Sequence, residues 1–264
     1  MKTGISTASL FGRMNTEDAL AFLSDNKVET AEVFLESFCE YNAEYGRVLK
    51  GVNKNTEIHS VHVLTTQYEP QLYSIGDRAR EDSFKILDSA MAAAEEFGAK
   101  YYTFHGIARY KKTPYVLDYD RIADITRKIS ETCNRHGVTL CYENVHWAYY
   151  NFIGFFTEVK KRFEKLKGVL DIKQARQSGI PYAEYIKEMG KDIVTVHLSD
   201  IDENGKMCMP GKGITDFYDL FTRLRDIGFD GAALLEVYKN DYKEYSELFD
   251  SLDYVNNVIA KIYK

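Results

Sequence analysis

The chain has 264 residues, 45% hydrophobic and 28% charged, which are proportions typical of a globular protein rather than of a disordered or fibrous chain. Its net charge of −6 disfavours binding to nucleic acids and to anionic membranes. No run approaches the roughly 18 consecutive apolar residues of a membrane-spanning helix, and the first residues lack the apolar core of a signal peptide. The four cysteines form no CxxC pair, so we expect reduced thiols and a cytoplasmic location.

Eight strand-like segments recur along the chain, and most are followed by a longer stretch with helical periodicity. Helical crossovers between short apolar runs are typical of parallel strands. Eight βα units in a chain of about 250 residues are typical of a TIM barrel, so we predict an α/β fold with a single (β/α)8 barrel domain over residues 1–264. A doubly wound open sheet is the alternative, but no glycine-rich dinucleotide-binding turn follows the first segment. The segments are 4–10 (GISTASL), 30–35 (TAEVFL), 58–63 (IHSVHV), 101–106 (YYTFHG), 139–145 (TLCYENV), 168–172 (GVLDI), 193–199 (IVTVHLS) and 232–238 (AALLEVY).

Helix signals lie between these segments. Apolar residues recur on one helical face, capping residues precede several of these stretches, and glycine follows three of them. The interval from Val63 to Asp77 shows no such pattern, and we expect a long irregular loop there. The predicted helices begin near Asn15 and cover approximately 38–54, 77–97, 120–136, 215–227 (with Thr215 as the N-cap) and 245–262.

Acidic and imidazole side chains stand at or near the C-terminal ends of six segments. The C-terminal mouth of a TIM barrel is where such proteins build their sites, so these side chains are expected to converge. Each alone has a simpler explanation, such as a hydrogen-bonded structural histidine or a neutralised glutamate. The six are His62, His105, Glu143, Asp171, His197 and Glu236.

Four of these residues, Glu143, Asp171, His197 and Glu236, come from the last four segments in succession. Without a cation the three carboxylates would repel one another. A divalent cation offsets that repulsion, and this donor set suits Mn, Mg, Co or Zn. We therefore predict one divalent metal ion as the cofactor.

The motifs that carry these residues resemble those of the xylose isomerase-like TIM-barrel superfamily of sugar isomerases and epimerases, which includes endonuclease IV. They are YENVHW, VLDI, VHLSD followed by MPGKGITDF, and LLEVY, and the resemblance extends over essentially the whole chain. It implies that Glu143, Asp171, His197 and Glu236 bind one divalent metal. It also implies chemistry on a sugar.

Two departures from the pattern of endonuclease IV argue against a three-zinc cluster. Gln174 stands where those nucleases carry a histidine, and the stretch IDENGKMCMPGKG contains no histidine at all. His62 and His105 match positions that ligate zinc in the nucleases, but we expect them to contact substrate, as in sugar-acting relatives. Gln174 also replaces an imidazole that several ketose epimerases use on substrate.

The expected activity is that of a metal-dependent isomerase or epimerase acting on a sugar or sugar phosphate through an enediolate. Glu143 and Glu236 would act as base and acid. Expected substrate contacts are His62, His105, Trp147, Gln174 and Asp200, with Phe11 beside Trp147 as an apolar wall.

Several alternatives stay open. Asp200 could instead bond loop backbone, Lys173 and Arg176 could bind a substrate phosphate, and Glu32 is read as a buried partner for an arginine or histidine. The rival functions are an endonuclease IV-like zinc phosphodiesterase on abasic DNA and a non-catalytic sugar-binding barrel. The expected partner is a small-molecule sugar or sugar phosphate, with no nucleic acid and no membrane, and homo-oligomerisation is left open.

Overall fold

Eight parallel strands close into a barrel in the structure of the protein, a computed structural model that describes residues 1–64, 67–109 and 116–263. The order around the barrel is β1-β10-β7-β6-β5-β4-β3-β2, so successive barrel strands are neighbours and the last pairs with the first. Two further strands, β8 and β9, form an antiparallel hairpin after β7. The strands are β1 Lys2–Ser6, β2 Thr30–Leu35, β3 Glu57–Val63, β4 Tyr101–Phe104, β5 Thr139–Glu143, β6 Lys167–Asp171, β7 Ile193–Leu198, β8 Asp200–Ile201, β9 Met207–Cys208 and β10 Ala232–Leu235.

Helices surround this barrel and cover its outer face with apolar side chains. The predicted (β/α)8 barrel is thereby confirmed, and each of the eight predicted segments overlaps a barrel strand. The helices are α1 Thr16–Asp25, α2 Ala43–Val52, α3 Asp77–Phe97, α4 Tyr119–Arg135, α5 Phe155–Arg162, α6 Ile172–Gln177, α7 Tyr182–Met189, α8 Phe217–Asp226 and α9 Ser246–Ile262.

Three local predictions need correction. The helix expected over 38–54 is shorter, because α2 begins at Ala43 after the N-cap Asn42 and a separate 3₁₀ helix covers Phe38–Glu40. The helix expected from Thr215 begins at Phe217, because Asp216 rather than Thr215 is the N-cap and accepts the N–H of Asp219. The loop expected between Val63 and Asp77 contains a 3₁₀ helix, Glu69–Tyr73, while residues 65–66 of that interval lie outside the described part.

The first strand shows how close the barrel backbone packs. A Cβ atom on Gly4 would lie 1.8 Å from the carbonyl oxygen of Thr30 on β2, well inside any permitted contact. Glycine is therefore required at this position for β1 and β2 to pair in their observed register, in which Ser6 lies opposite Glu32.

The lengths and compositions of the helices can be compared with those of membrane-spanning helices. None of the helices within 1–64, 67–109 and 116–263 combines the length and the hydropathy needed to span a bilayer.

Candidate metal centre and substrate cavity

Four side chains meet at the C-terminal mouth of the barrel, as their positions at strand ends predicted. Glu143 and Asp171 are the last residues of β5 and β6, His197 lies one residue before the end of β7, and Glu236 directly follows β10. Each offers a ligand-type atom, and these four atoms all lie within 4.8 Å of one another. The site is thus assembled from four separate strands.

The same four residues carry polar atoms whose hydrogen-bonding capacity is unused. Glu143 Oε2, Asp171 Oδ2, His197 Nε2 and Glu236 Oε2 are buried and have no hydrogen-bond partner of acceptable geometry among the described residues. An oppositely charged or ionisable side chain lies within 4 Å of each atom, but the angles of these contacts do not allow a hydrogen bond. Buried atoms of this kind are costly. The three carboxylate oxygens fit a divalent cation together with His197 Nδ1, which faces Glu143 and Glu236, whereas His197 Nε2 faces Glu32.

His197 lies between two groups of carboxylates. Its Nδ1 is 3.1 Å from Glu143 Oε1 and 2.7 Å from Glu236 Oε2, so this nitrogen faces both glutamates of the four-residue cluster. Its Nε2 is 3.2 Å from Glu32 Oε1 on β2. The reading of Glu32 as a buried partner for a basic side chain agrees with this contact, and the partner is a histidine.

Glu32 is completely buried and is held by three hydroxyl groups. It accepts hydrogen bonds from Ser6 Oγ at 3.0 Å, Ser60 Oγ at 2.8 Å and Thr103 Oγ1 at 2.7 Å. Burial alone would raise the pKa of Glu32, but the attraction of His197 outweighs it and leaves this pKa below its ordinary value. Glu32 is therefore a fixed negative charge beneath the mouth of the barrel.

The carboxylates around His197 respond to their neighbours in different ways. Burial acts to raise the pKa of Glu143, but the adjacent imidazoles of His105 and His197 bring it well below its usual range. For Glu236, the charges of His197 and Lys173 likewise outweigh burial and lower the pKa. Burial, with repulsion from Glu143, raises the pKa of Asp171 to about 7 despite the nearby Lys173.

Asp171 is fixed in place by backbone contacts and by one amide side chain. Asn144 Oδ1 accepts the N–H of Asp171 at 2.8 Å, and Asn144 Nδ2 donates to the Asp171 carbonyl at 2.9 Å. Asp171 Oδ1 caps α6 by accepting the N–H of Gln174 at 2.9 Å. Asn144 thus ties the end of β5 to the end of β6 and leaves Asp171 Oδ2 directed at the cluster.

Lys173 is a buried cation beside this cluster, and nothing in the sequence marked it as such. Its Nζ lies 3.7 Å from Asp171 Oδ2 and 3.5 Å from Glu236 Oε1, and it stands 4.2 Å from the ring centroid of Tyr238. The attraction of both carboxylates outweighs burial and raises the pKa of Lys173. Its charge is already matched inside the protein.

The two predicted substrate-contacting histidines lie on the β3–β4 side of the mouth. The rings of His62 and His105 are 4.5 Å apart, and both residues lie with Glu143 in a second group of ligand-type atoms within 4.8 Å. His105 Nε2 is 3.1 Å from Glu143 Oε2, while its Nδ1 is 3.2 Å from Glu69 Oε2. Burial opposes protonation of His105, but these two carboxylates raise its pKa to about 10.

A cavity of about 340 Å³ opens above these residues. Phe11 and Trp147 line it, as do His62, His105 and Gln174, and Glu143 and Glu236 form part of its wall. Gln174 is oriented by His146, whose Nδ1 lies 2.6 Å from Gln174 Oε1. The structure therefore brings four of the five predicted substrate-contacting residues to one cavity.

Asp200 is the exception. It does not line this cavity; its carboxylate accepts the backbone N–H groups of Ile201, Gly211, Gly213 and Thr215 at 2.8 to 3.1 Å. These contacts match the alternative reading of Asp200 as a residue that organises a loop. Together with Lys173 and Arg176 it borders a separate cavity of about 410 Å³ beside α6.

Solved structures with the same fold include several whose names refer to sugar epimerases. A D-tagatose 3-epimerase-like protein superposes with a TM-score of 0.78 at 18% identity, covering 100% of this chain and 98% of that one. A D-psicose 3-epimerase with D-tagatose, from Clostridium cellulolyticum H10, gives 0.79 at 14% identity with both chains fully covered. The IolI protein with a bound zinc atom gives 0.76 at 16% identity and 99% coverage of both chains. At these identities the likeness establishes the shared fold.

Sequence comparison adds the family. A search among curated proteins finds no match. The family model of the xylose isomerase-like TIM barrel, in contrast, matches residues 20–255, which include every barrel strand from β2 to β10 and all four members of the candidate metal centre. The chain therefore belongs to the xylose isomerase-like TIM-barrel family.

Proposed function

We propose that the protein is a divalent-metal-dependent sugar isomerase or epimerase. The observation that carries the proposal is the convergence of Glu143, Asp171, His197 and Glu236 within 4.8 Å at the wall of a cavity. Structural neighbours named as tagatose and psicose 3-epimerases support ketoses as the substrate class. The closed barrel with its site at the C-terminal mouth is the usual arrangement of enzymes with this architecture.

Glu143, Asp171, His197 and Glu236 are the residues that would hold the ion, because their oxygen and nitrogen donors suit Mn, Mg, Co or Zn. A zinc-containing neighbour of the same fold supports a metal at such a site. When bound, a divalent ion would supply Lewis-acid stabilisation of negative charge developing on the oxygens of the substrate.

Proton transfer is assigned to Glu143 and Glu236. Two strands, β6 and β7, stand between β5 and β10 in the barrel wall, so the two carboxylates reach the cavity from different directions. One carboxylate would remove a proton from the carbon next to the carbonyl group, and the other would return a proton. Return to the opposite face of the same carbon inverts it. Return to the neighbouring carbon isomerises the sugar, provided that the hydroxyl proton of the first carbon also passes to the former carbonyl oxygen.

The remaining cavity residues would bind and orient the substrate. His62, His105 and Gln174 present polar groups for hydroxyls, while Phe11 and Trp147 provide apolar surface for the carbon skeleton. A volume of about 340 Å³ lies within the range of small-molecule sites.

The charge of Lys173 bears on phosphorylation of the substrate. Because this ammonium group is already paired with Asp171 and Glu236, it is not available to a phosphate, and Arg176 borders the other cavity. These contacts favour an unphosphorylated sugar.

The proposal is tested by metal content and by proton exchange. Protein purified without chelator should retain about one divalent ion per chain by inductively coupled plasma mass spectrometry. With that ion, incubation with D-tagatose, D-psicose and D-fructose in D₂O should incorporate deuterium next to the carbonyl, detected by NMR. Glu143→Gln and Glu236→Gln should lower this exchange by about 100-fold or more, whereas Glu203→Gln, in the exposed hairpin, should not. Full exchange in either cavity variant would contradict the acid–base assignment.

A zinc phosphodiesterase is the second candidate, because His62, His105 and Glu143 form another ligand-type group within 4.8 Å. Two or three zinc ions per chain, together with cleavage of a duplex containing an abasic site, would support it. Gln174 in place of an expected histidine, the stretch IDENGKMCMPGKG without a histidine, and the net charge of −6 count against it. Stabilisation by a ketose without exchange or product would instead indicate a sugar-binding barrel.

A further inference from the structure

Glu69 is a buried carboxylate next to the cavity that the proposed reaction does not use directly. It begins the 3₁₀ helix Glu69–Tyr73 and is completely buried. Its Oε2 lies 3.2 Å from His105 Nδ1 and accepts the backbone N–H of His105 at 3.3 Å. Its Oε1 accepts the hydroxyl of Tyr102 at 2.5 Å, and that hydroxyl lies 2.8 Å from the hydroxyl of Tyr68. The carboxylate is thus held on one side and directed at His105 on the other.

Three further residues contact the ring of His105. Opposite Glu69, its Nε2 is 3.1 Å from Glu143 Oε2. Its faces and edges pack against His62 at 4.5 Å and Trp147 at 5.1 Å between ring centroids. With Nδ1 directed at Glu69, the ring can present only Nε2 to Glu143 and to the cavity.

A structural role alone leaves the charge of Glu69 without a reason. A buried hydroxyl pair such as Tyr68 and Tyr102 is satisfied equally well by a neutral acceptor, and burying a carboxylate costs free energy unless a basic group pairs with it. Within residues 1–64, 67–109 and 116–263, His105 is the basic side chain that lies within ion-pair distance of Glu69. The side chain of Glu69 therefore has the imidazole of His105 as its basic partner.

We propose that Glu69 is a positioning residue that accepts the Nδ1–H of His105, so that Nε2 is presented to Glu143 and to a sugar hydroxyl. This inference rests on the proposed sugar chemistry and deepens it. Without Glu69 the ring would be free to exchange its two nitrogens or to turn away, and displacement by about 1 Å can lower a rate on the order of 100-fold.

The first test reads the imidazole directly and needs no substrate. In protein labelled with ¹⁵N-histidine, the Nδ1–H of His105 should give a one-bond correlation protected from exchange, assigned by its disappearance in His105→Gln. Glu69→Ala should abolish this signal, and Glu69→Gln, which keeps an acceptor oxygen, should retain it. Tyr102→Phe is the matched control, because it removes the partner of the other carboxylate oxygen and should leave the signal in place.

The second test reads catalysis, with the ketose that exchanges fastest in the assay above. Glu69→Ala should lower kcat on the order of 100-fold, with a much smaller change in KM. Glu69→Gln should retain much more of the wild-type kcat than Glu69→Ala does. Tyr102→Phe should change kcat little. A persistent Nδ1–H signal in folded Glu69→Ala would overturn the inference, and so would an unchanged kcat. Absence of turnover in the wild-type protein would instead refute the proposed function. The NMR result would still show whether Glu69 accepts the Nδ1–H of His105.

Discussion

Replacing Glu32 with glutamine should weaken metal binding although Glu32 is not itself one of the four expected ligands. His197 directs Nδ1 towards Glu143 and Glu236 and Nε2 towards Glu32 at 3.2 Å. A metal-ligating histidine is typically oriented by a carboxylate that accepts the N–H of its other nitrogen. Glu32→Gln keeps the shape of that acceptor but removes its charge.

The size of the effect follows from the role of such carboxylates. Their loss costs about 10-fold to 100-fold in metal affinity, which corresponds to about 1.4 to 2.8 kcal/mol. Glu32→Ala should in addition lower the free energy of unfolding by about 3 kcal/mol, since it leaves the hydroxyls of Ser6, Ser60 and Thr103 without their acceptor at about 1 kcal/mol each. The amide of glutamine can still hydrogen-bond to these hydroxyls. Glu32→Gln is therefore the variant that tests the effect on metal affinity with little change in stability.

Isothermal titration of chelator-treated protein with Mn²⁺ measures the affinity, and urea unfolding measures the stability. Ser60→Ala is the matched control, because it removes one hydrogen bond to Glu32 but leaves the carboxylate facing His197. If Glu32→Gln is folded and binds Mn²⁺ as tightly as the wild type, the orienting role is refuted. If Ser60→Ala weakens binding equally, the loss reflects general loosening of the site.

Two further predictions concern stability. Burial lowers the pKa of His59 from 6.5 to about 4, so between these pH values the unfolded chain binds a proton that the folded chain does not, and stability is lost as the pH falls. Between pH 7 and pH 4.5 this difference should lower the free energy of unfolding by about 2 kcal/mol. His59→Gln should show a shallower pH dependence in urea unfolding, and an equally steep one would contradict this explanation. Lys173→Met removes the buried cation beside Asp171 and Glu236, leaving His197 as the basic partner of Glu236, and should destabilise the metal-free protein by about 3 kcal/mol. Thermal unfolding with EDTA and with Mn²⁺ should show that metal restores most of this loss, and a loss unaffected by metal would contradict the explanation.

The sequence was most informative where side chains occupy strand ends. Glu143, Asp171 and His197 each follow an apolar run that could only be a buried strand, and in a parallel barrel the ends of all strands meet at one rim. Their convergence is therefore a consequence of topology, and topology was readable from eight repeated units. No comparable rule gives distances, so only the structure shows that the four ligand-type atoms come within 4.8 Å.

Residues outside that pattern could not be placed in advance. Glu69 lies in a 3₁₀ helix within an interval that has no apolar periodicity, and nothing in its neighbours along the chain relates it to His105. Lys173 lies on α6 only two residues after Asp171, yet whether its ammonium group turns inwards or towards solvent depends on packing against Tyr238. Asp216 rather than Thr215 is the N-cap of α8 because its carboxylate accepts the N–H of Asp219, a choice between two neighbouring capping residues that the sequence leaves open.

The pairing of β10 with both β1 and β7 has a consequence for how the protein matures. Glu236, which follows β10, is the last of the four expected ligands in the chain, some 65 residues after Asp171 (236 − 171) and 93 after Glu143 (236 − 143). During synthesis the first three ligands leave the ribosome before the strand that closes the ring. If these four residues bind a metal ion as proposed, full affinity should arise only after β10 has closed the barrel. Metal binding would then follow folding of the barrel rather than guide it.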